Sequence, residues 1–327
     1  GIMGYTALGG LAAVLVSVPP VREAWQVGGL NMILCAFLIA LIPVMVVHRV
    51  VKRECKMKFT IHGVRGSVPT PDIGFLKYGG NTSCFEIETS NSQIFCDAGT
   101  GFRSAKLLRD KKEVSVFFTH FHHDHIQGFP FNPGLFAKGR QISVSSALCD
   151  GEKTRSILES YFSGCFFPIN VFASLRHLDV QNFEEMRSSL SGEVEVKFIN
   201  LEHPGGAVGY SFVSAGKKIV ILLDNEFQDF QRDELVKFCK GADLLIWDGM
   251  FTEDELQTKA GWGHSSIEQA VEFTDVSDVR KTLICHHAPY RFDSDIDEIR
   301  ANLALKRNAK RPFWPQTYIF PMKNQYF

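Results

Sequence analysis

A short run of metal-ligating residue types constrains this 327-residue chain more than any other feature. Residues 119–125 read Thr-His-Phe-His-His-Asp-His and directly follow the apolar residues 116–118. A strand that ends in such a turn can direct two histidines toward one metal ion, and an aspartate with a histidine toward a second. Two ions roughly 3.5–4 Å apart can hold a hydroxide and stabilise attacking and leaving oxygens. The alternative is a surface tract rich in histidine.

Further ligand types follow later apolar runs and favour the metal site over that alternative. His203, Asp224 and the pair His286–His287 each come at or just after the end of a predicted strand. Sheets place their sites outside the carboxyl ends of strands, where side chains converge. Each residue alone could be an ordinary turn or loop residue, but their joint occurrence predicts a two-metal site. Imidazole and carboxylate ligands suit zinc, iron or manganese.

The N-terminal region has a different composition. No charged residue occurs in 1–21 or 24–47, and residues 30–47 are almost wholly apolar. A helix over 30–47 would reach roughly 27 Å, about the thickness of a bilayer core. One or two transmembrane helices are therefore predicted within residues 1–57, with a basic flank that places the following chain in the cytoplasm. The alternative is a buried hydrophobic hairpin; a cleaved signal peptide is disfavoured because the basic cluster follows the apolar segment.

The region 58–327 reads as short strands separated by glycine-rich turns, with helices predicted over 102–108, 152–161 and 267–273. The aromatic loop 161–168 is either core packing, a subunit contact or a lid. The net charge of −1 supplies no general reason to expect a nucleic-acid partner. The eight cysteines lack Cys-x-x-Cys spacing and are interpreted as reduced thiols of a cytosolic compartment.

With these motifs the chain resembles the metallo-β-lactamase-fold hydrolases, in the branch with tRNA-processing endonucleases and phosphoribosyl 1,2-cyclic phosphate phosphodiesterase-like proteins. The resemblance covers about residues 58–327. It implies an α+β fold, a four-layer αββα sandwich, preceded here by the hydrophobic transmembrane segment. Two domains are therefore expected, a membrane segment over 1–57 and a hydrolase domain over 58–327. A homodimer is common in that family.

The resemblance also implies a ligand set for two divalent metal ions per chain, with zinc expected first and manganese or iron next. His286 is preferred over His287 because the ligand of the family directly follows the apolar strand. Asp124 is counted among the catalytic residues as well as the ligands. The ligands form two triads around one bridging carboxylate: His120, His122 and His203; Asp124, His125 and His286; and Asp224 between them.

Asp248 and His264 match a further pair of the phosphodiesterase branch. In that branch the histidine protonates the leaving oxygen and the acid orients it, a role that suits a histidine near neutral pH. Ser265 with Glu268 makes a capping box that would begin the helix at Ile267 and hold His264 in place. The alternative is that Ser265 is only a cap and His264 only a loop residue.

The substrate is the least determined property. Relatives typically carry an acidic residue and another histidine after the paired histidines, whereas Ala-Pro-Tyr-Arg follows here at 288–291. Arg291 could bind a phosphate in a bidentate way or lie on the surface. The chain also lacks a glycine- and lysine-rich arm for holding tRNA. The predicted substrate contacts are Arg65, Ser67, Asn81, His287 and Arg291.

The first hypothesis is a membrane-anchored cytoplasmic phosphodiesterase that hydrolyses a small cyclic phosphodiester, such as a cyclic nucleotide, through a metal-bridging hydroxide. The second is metal-dependent hydrolysis of a thioester, lactone or β-lactam, which needs the metals but not Asp248 and His264. The third is a non-catalytic membrane sensor that binds a nucleotide. A complete ligand set argues against the third.

Overall fold

A computed structural model describes residues 57–108, 113–137, 140–175, 177–310, 316–318 and 325–326 of the chain. Contacts divide the chain into two units, Gly1–Cys55 and Lys56–Phe327. The sheets and helices described by the structure belong to the second unit. The expected membrane domain over 1–57 lies almost wholly outside the described residues, so that domain division stays a prediction.

The transmembrane part of the predicted fold class is corrected by the structure. Among the described residues, no helix combines the length and the apolar character that crossing a bilayer requires. Residues 1–56, on which the prediction chiefly rested, lie outside that set. The transmembrane part of the predicted fold class and the predicted membrane-anchored localisation are therefore withdrawn, and the described residues form the sandwich.

The first sheet follows the order β13-β1-β2-β3-β4-β5-β6 within the described part of the chain. Strands β1 to β3 and β13 pair in antiparallel fashion, whereas β3 to β6 run parallel to one another. The strands are β1 (Lys58–Gly63), β2 (Cys84–Glu88), β3 (Ser92–Cys96), β4 (Glu113–Phe118), β5 (Ile142–Ser146), β6 (Leu178–Val180) and β13 (Gln325–Tyr326).

The second sheet has the order β12-β11-β10-β9-β8-β7. Its β7, β8 and β9 form an antiparallel meander, and β9 to β12 are parallel. The strands are β7 (Glu195–Leu201), β8 (Ala207–Ser214), β9 (Lys217–Leu222), β10 (Leu244–Asp248), β11 (Lys281–Cys285) and β12 (Gln316–Tyr318).

Both faces of the central strands are buried, which explains their nearly continuous apolar sequences. In β4, Phe117 packs into the core between the two sheets, while Val116 and Phe118 point to the opposite face and its helices. All three side chains have no exposed surface. Burying each contributes about 1.5–3 kcal/mol. The period-2 alternation of β4 therefore joins two hydrophobic cores.

Helices cover the outer faces and complete the αββα layering. A cluster that includes Leu158 and Phe172 covers the first sheet, and one that includes Leu235 and Phe273 covers the second. The helices are α1 (His123–Ile126), α2 (Gly151–Tyr161), α3 (Val171–Ser174), α4 (Phe183–Leu190), α5 (Arg232–Cys239), α6 (Glu253–Leu256), α7 (Ile267–Val276) and α8 (Asp293–Lys310).

Two local predictions fare differently. The helix expected over 152–161 is present as α2. The helix expected over 102–108 is wrong, since the chain forms only a 3₁₀ turn at Thr100–Ser104. The backbone turns extended at Ala105 (ψ 129°), and Asn132 Nδ2 donates to the carbonyls of Phe102 and Ala105, which a continuing helix would use as acceptors.

Candidate metal centre

The side chains of the predicted ligand set meet at one edge of the sandwich. His120 and His122 lie in the turn between β4 and α1, and α1 itself carries Asp124 and His125. His203, Asp224 and His286 follow β7, β9 and β11 of the second sheet. The two sheets therefore contribute from opposite sides, and the structure brings all seven predicted ligands together.

The first cluster consists of His120, His122, His203 and Asp224. His203 Nε2 lies 3.0 Å from His122 Nδ1 and 3.6 Å from Asp224 Oδ2. His120 Nε2 lies 3.7 Å from the same carboxylate oxygen. Three imidazole nitrogens and one carboxylate oxygen thus converge, a donor set that a divalent ion accepts.

The second cluster consists of Asp124, His125 and His286. His125 Nε2 lies 3.4 Å from Asp124 Oδ2, and His286 Nε2 lies 3.2 Å from it. Asp224 also reaches this cluster through its other oxygen, Oδ1, which is 3.1 Å from His125 Nε2 and 2.8 Å from His286 Nδ1. Asp224 therefore presents one carboxylate oxygen to each cluster, the arrangement expected of a bridging ligand.

Unsatisfied polar atoms test whether these residues fit metal ions. A buried polar atom without a partner costs about 1–3 kcal/mol, so native proteins seldom retain several side by side. Four atoms of the two clusters make no well-directed hydrogen bond, although two of them lie within 3.1 Å of a third, and a divalent ion would satisfy each: His120 Nε2, His125 Nε2, Asp224 Oδ1 and His286 Nδ1. The donor set therefore fits two divalent ions.

Asp97 supports the second cluster from below. Its Oδ2 accepts a hydrogen bond from His125 Nδ1 at 2.7 Å, and its Oδ1 accepts from the Thr119 amide at 2.8 Å. The Nδ1 proton held by Asp97 leaves His125 Nε2 free to face the cluster. Burial raises the pKa of Asp97, opposed by neighbouring His125. Burial alone would lower the pKa of His125, but the carboxylates around it raise that pKa well above 6.5 in the metal-free protein.

Backbone strain is concentrated at the same edge. Four non-glycine residues adopt left-handed φ values here: Ser67 (64°), Asp97 (60°), Asp224 (53°) and His286 (59°). Each such conformation costs about 1–3 kcal/mol and persists only where the surroundings enforce it, typically at functional sites. Ser67 shows what the conformation achieves, because it directs the Ser67 amide to Asp124 Oδ2 at 2.7 Å.

His264 lies beside both clusters and is hydrogen-bonded to Asp248. His264 Nδ1 donates to Asp248 Oδ2 at 2.8 Å, and Asp248 also accepts from the amides of Asn225 and Met250. The His264 ring centroid lies 5.3 Å from that of His203 and 5.1 Å from that of His286. Burial would lower the pKa of His264, but the Asp248 carboxylate, with Asp224 and Asp124, raises it to about 9 in the metal-free protein.

The predicted capping box is wrong by one residue. Ser266, not Ser265, caps α7, and it pairs reciprocally with Gln269. Ser265 is fully buried, and its hydroxyl donates to the Asn225 carbonyl at 2.5 Å. Because two adjacent serines both suit a cap, spacing alone did not separate them. Ser265 directly follows His264, and its hydroxyl instead links this segment to the turn that carries Asp224.

The predicted substrate contacts differ in how open they are. Ser67 is exposed beside Asp124, and Asn81 is partly buried, with Oδ1 accepting from the Thr100 hydroxyl. Arg65 is fully buried and donates to the carbonyls of Gly79 and Arg291. This geometry gives Arg65 a scaffold contact and lends no support to direct substrate binding.

His287 and Arg291 are also buried, with 1% and 6% of their surface exposed. Arg291 Nη2 donates to Glu255 Oε2 at 2.5 Å and to the Met250 carbonyl at 3.2 Å. His287 Nδ1 and Arg291 Nε have no hydrogen-bond partner in the described structure. Their predicted contact with substrate stays a prediction.

The aromatic loop 161–168 is partly core packing, and the predicted roles as a subunit contact or a lid stay predictions. Phe162 is buried in the core outside the first sheet, whereas Phe166 is 74% exposed. Tyr161 hydrogen-bonds His123 through its hydroxyl, beside the ligand His122. Phe162 therefore packs into the core, whereas the adjacent Tyr161 contacts His123 beside the site.

The residue that the sequence interpretation missed is Asp97. It directly follows β3, the parallel neighbour of β4, so its carboxylate emerges beside the histidine motif. The same strand-end argument that selected Asp224 applies to Asp97. Its position within the glycine-rich run 97–101 made it resemble an ordinary turn residue.

Comparison with known proteins assigns the family. The Beta-lactamase superfamily domain matches residues 92–287, more than half of the chain, and the chain belongs to that family. It is 25% identical over 235 residues to the probable metallo-hydrolase YhfI of Bacillus subtilis, covering 70% of this chain and 86% of the relative. It is 24% identical over 311 residues to a Ribonuclease Z of Prochlorococcus marinus subsp. pastoris, covering 80% and 97%.

Solved structures agree on the fold. The crystal structure of Bacillus subtilis YhfI matches with a TM-score of 0.60 at 18% identity, covering 84% of this chain and all of that one. A diphosphatase from the PhnP family matches with a TM-score of 0.53 at 18% identity, covering 83% and 98%. The predicted resemblance is thus confirmed, and the chain is a metal-dependent hydrolase.

Proposed function

We propose that this chain hydrolyses phosphodiesters with two divalent ions. One ion would be held by His120, His122 and His203. The other would be held by Asp124, His125 and His286. Asp224 would contribute to both. Zinc suits these nitrogen and oxygen donors best, and manganese or iron would also be accepted. When bound, the ions would supply Lewis acidity, which activates water and neutralises charge on the phosphoryl oxygens.

The observation that carries the proposal is the His264–Asp248 pair beside the ligand clusters. Hydrolysis of a phosphodiester expels an alkoxide, which leaves readily only when it is protonated. Asp248 holds the proton of His264 Nδ1 and thereby leaves Nε2 to face the substrate. Burial would lower the pKa of His264, but the Asp248 carboxylate raises it, which favours a second ring proton that Nε2 could donate to the leaving oxygen.

The remaining site residues hold the ligands and leave the mouth open. The Ser67 amide orients Asp124, and the exposed Ser67 side chain lies where a substrate would enter. We place Ser67 and Asn81 nearest the substrate. The buried His287 and Arg291 stay candidate substrate contacts. Asp124 would assist catalysis only through the ion that it holds.

A small cyclic phosphodiester, such as a cyclic nucleotide, is the proposed substrate. The net charge of −1 provides little of the phosphate neutralisation that usually drives RNA binding. The Ribonuclease Z relatives are the specific observation that favours a second candidate, an RNA phosphodiester. A homodimer remains a proposal by analogy with the family.

One preparation of the protein tests both candidates. Metal content is measured first, followed by hydrolysis of bis-p-nitrophenyl phosphate, a panel of cyclic nucleotides and an oligoribonucleotide. About two ions per chain with turnover of a cyclic nucleotide are expected. Turnover of the oligoribonucleotide alone would select the RNA candidate. Bound metal without turnover of any phosphodiester would refute the proposed function.

A further inference from the structure

The turn that carries Asp224 also carries a carboxylate that belongs to neither ligand cluster. Glu226 accepts hydrogen bonds with both side-chain oxygens from amides of a single loop: the Gly261 amide reaches Oε1 at 3.0 Å, and the Gly263 amide reaches Oε2 at 2.9 Å. Gln228 Nε2 also donates to Oε1 at 3.3 Å. Two bonds from one carboxylate fix both the position and the rotation of the loop.

The loop 261–263 is held by the Glu226 carboxylate, an interaction called the clamp below. This loop contacts a predicted metal ligand directly. The Gly263 carbonyl lies 2.7 Å from His203 Nδ1. A carbonyl oxygen only accepts, so Nδ1 must carry the proton, and Nε2 keeps the lone pair that faces the first cluster. The Gly263 carbonyl belongs to the peptide bond that joins Gly263 to His264. The position of this peptide therefore also sets the backbone position of His264, the proposed proton donor.

The main chain of Glu226 joins a third segment to this arrangement. Its amide donates to the Glu202 carbonyl at 2.7 Å, directly before His203 in sequence. Glu226 therefore connects the turn that follows β9, the turn that follows β7 and the loop before His264. All three carry a residue of the candidate site.

Glycine makes this geometry possible and also makes it dependent on a clamp. Gly261 and Gly263 adopt φ values of 80° and 81°, and a Cβ at Gly263 would lie 2.2 Å from His203 Nδ1. Glycine is the residue that permits so close an approach, but it also leaves the loop with the greatest freedom to rearrange. The Glu226 carboxylate is the group that opposes that freedom.

We propose that Glu226 is a positioning residue that sets the tautomer of His203 and the placement of His264 through the loop 261–263. The inference rests on the proposed roles of these two histidines and adds a residue that acts on both. The Glu226 carboxylate hydrogen-bonds the amides of the loop and Gln228 rather than a ligand atom, so its effect would pass through the loop.

The test compares E226Q and E226A with the control E202Q. Glutamine keeps the volume but has one acceptor oxygen, and its NH₂ group would face an amide that also donates. Glu202 is exposed and precedes His203, so E202Q removes the same charge close to the site without changing the clamp. The readouts are hydrogen exchange at the amides of Gly261 and Gly263, metal affinity by chelator competition, and kcat and KM.

We expect E226Q to speed exchange at the two loop amides and to lower metal affinity about 10–100-fold, the usual effect of losing a partner that orients a ligand. The kcat should fall with little change in KM, E226A should show a larger effect, and E202Q should match the wild type. Nitrogen NMR of the histidines should show His203 with a proton on Nδ1 in the wild type and a mixture in E226Q.

Two results would overturn the inference. Loop amides that exchange as fast as an unstructured peptide in the wild-type protein would show that the clamp does not form, whatever the variants do. Faster exchange in E226Q with unchanged metal affinity and kcat would make Glu226 a mere loop anchor. Absence of metal and turnover in the wild type would instead refute the proposed function, which keeps the two failures distinct.

Discussion

The two sheets build the metal centre in different ways. The first contributes one contiguous motif between β4 and α1, braced from below by Asp97. The second contributes single residues, His203, Asp224 and His286, each at the end of a different strand. The contiguous half of the metal centre, from the first sheet, depends on one turn. The dispersed half, from the second sheet, depends on the register of three strands.

The difference shows where each half is vulnerable. His125 is held by a buried carboxylate inside the core, with no exposed surface on either residue. His203 is held by a main-chain carbonyl of a glycine loop near the surface. Changes in the first half should therefore disturb folding and metal binding together, whereas changes in the second should disturb the site with less effect on the fold.

The largest effect is expected where the two halves meet. Asp224→Ala removes the carboxylate that faces both clusters, so both ions should bind weakly and turnover should fall by several orders of magnitude. Metal analysis and hydrolysis assays check this. Asp229→Ala, an exposed substitution five residues later, is the control. Retention of two tightly bound ions by the Asp224 variant would contradict the bridging arrangement.

The next effect separates chemistry from metal binding. His264→Ala should lower kcat about 10²–10⁴-fold, the range for loss of a general acid, while metal content stays the same. The loss should be larger for an alkyl leaving group than for p-nitrophenol, because p-nitrophenolate leaves without protonation. An equal loss for both leaving groups would remove the proton-donor role.

A smaller effect tests the support of the contiguous half. Asp97→Asn places an amide where His125 needs an acceptor, and should lower metal affinity about 10–100-fold while reducing thermal stability. Chelator competition and thermal unfolding measure the two effects. Asp254→Asn, on the exposed first turn of α6, controls for the lost charge. Unchanged metal affinity would show that the strand end alone orients His125.

The smallest expected effect is that the stabilities of the metal-free and the metal-loaded protein change in opposite directions with pH. In the metal-free protein, burial opposes but neighbouring carboxylates raise the pKa of His125 and His286 above 6.5. Because protonation of these histidines is favoured in the folded state, it stabilises the metal-free protein. This contribution is complete below pH 6.5 and is lost as the pH rises through the raised pKa values. Metal binding needs neutral imidazoles, so the metal-loaded protein should gain stability over the same range. Urea unfolding between about pH 6 and 9 measures both, and parallel profiles would refute the prediction.

The sequence proved most informative where ligands are adjacent. The motif at 120–125 was recognisable because its spacing alone places two histidines on one turn. The dispersed ligands were found because each follows an apolar run that a buried parallel strand produces. Asp97 obeys the same rule but was missed, since a glycine-rich run follows it and resembles a turn.

Other properties needed the folded chain. Whether Ser265 or Ser266 caps α7 depends on which hydroxyl finds the Asn225 carbonyl, a contact across 40 residues. Arg65 was predicted as a substrate contact, and only the fold shows that it is buried and donates to two main-chain carbonyls. The predicted membrane helix has no counterpart among the described residues.

By itself, the sequence predicted short strands and candidate ligands at their ends, because side-chain periodicity and strand-end residues are local properties, whereas the sandwich layers were implied by the family resemblance. Only the tertiary structure decided that Asp224 faces both clusters and that Glu226 holds the loop before His264. The reason is physical: those contacts join segments far apart in the chain, and their distances follow from how the two sheets pack.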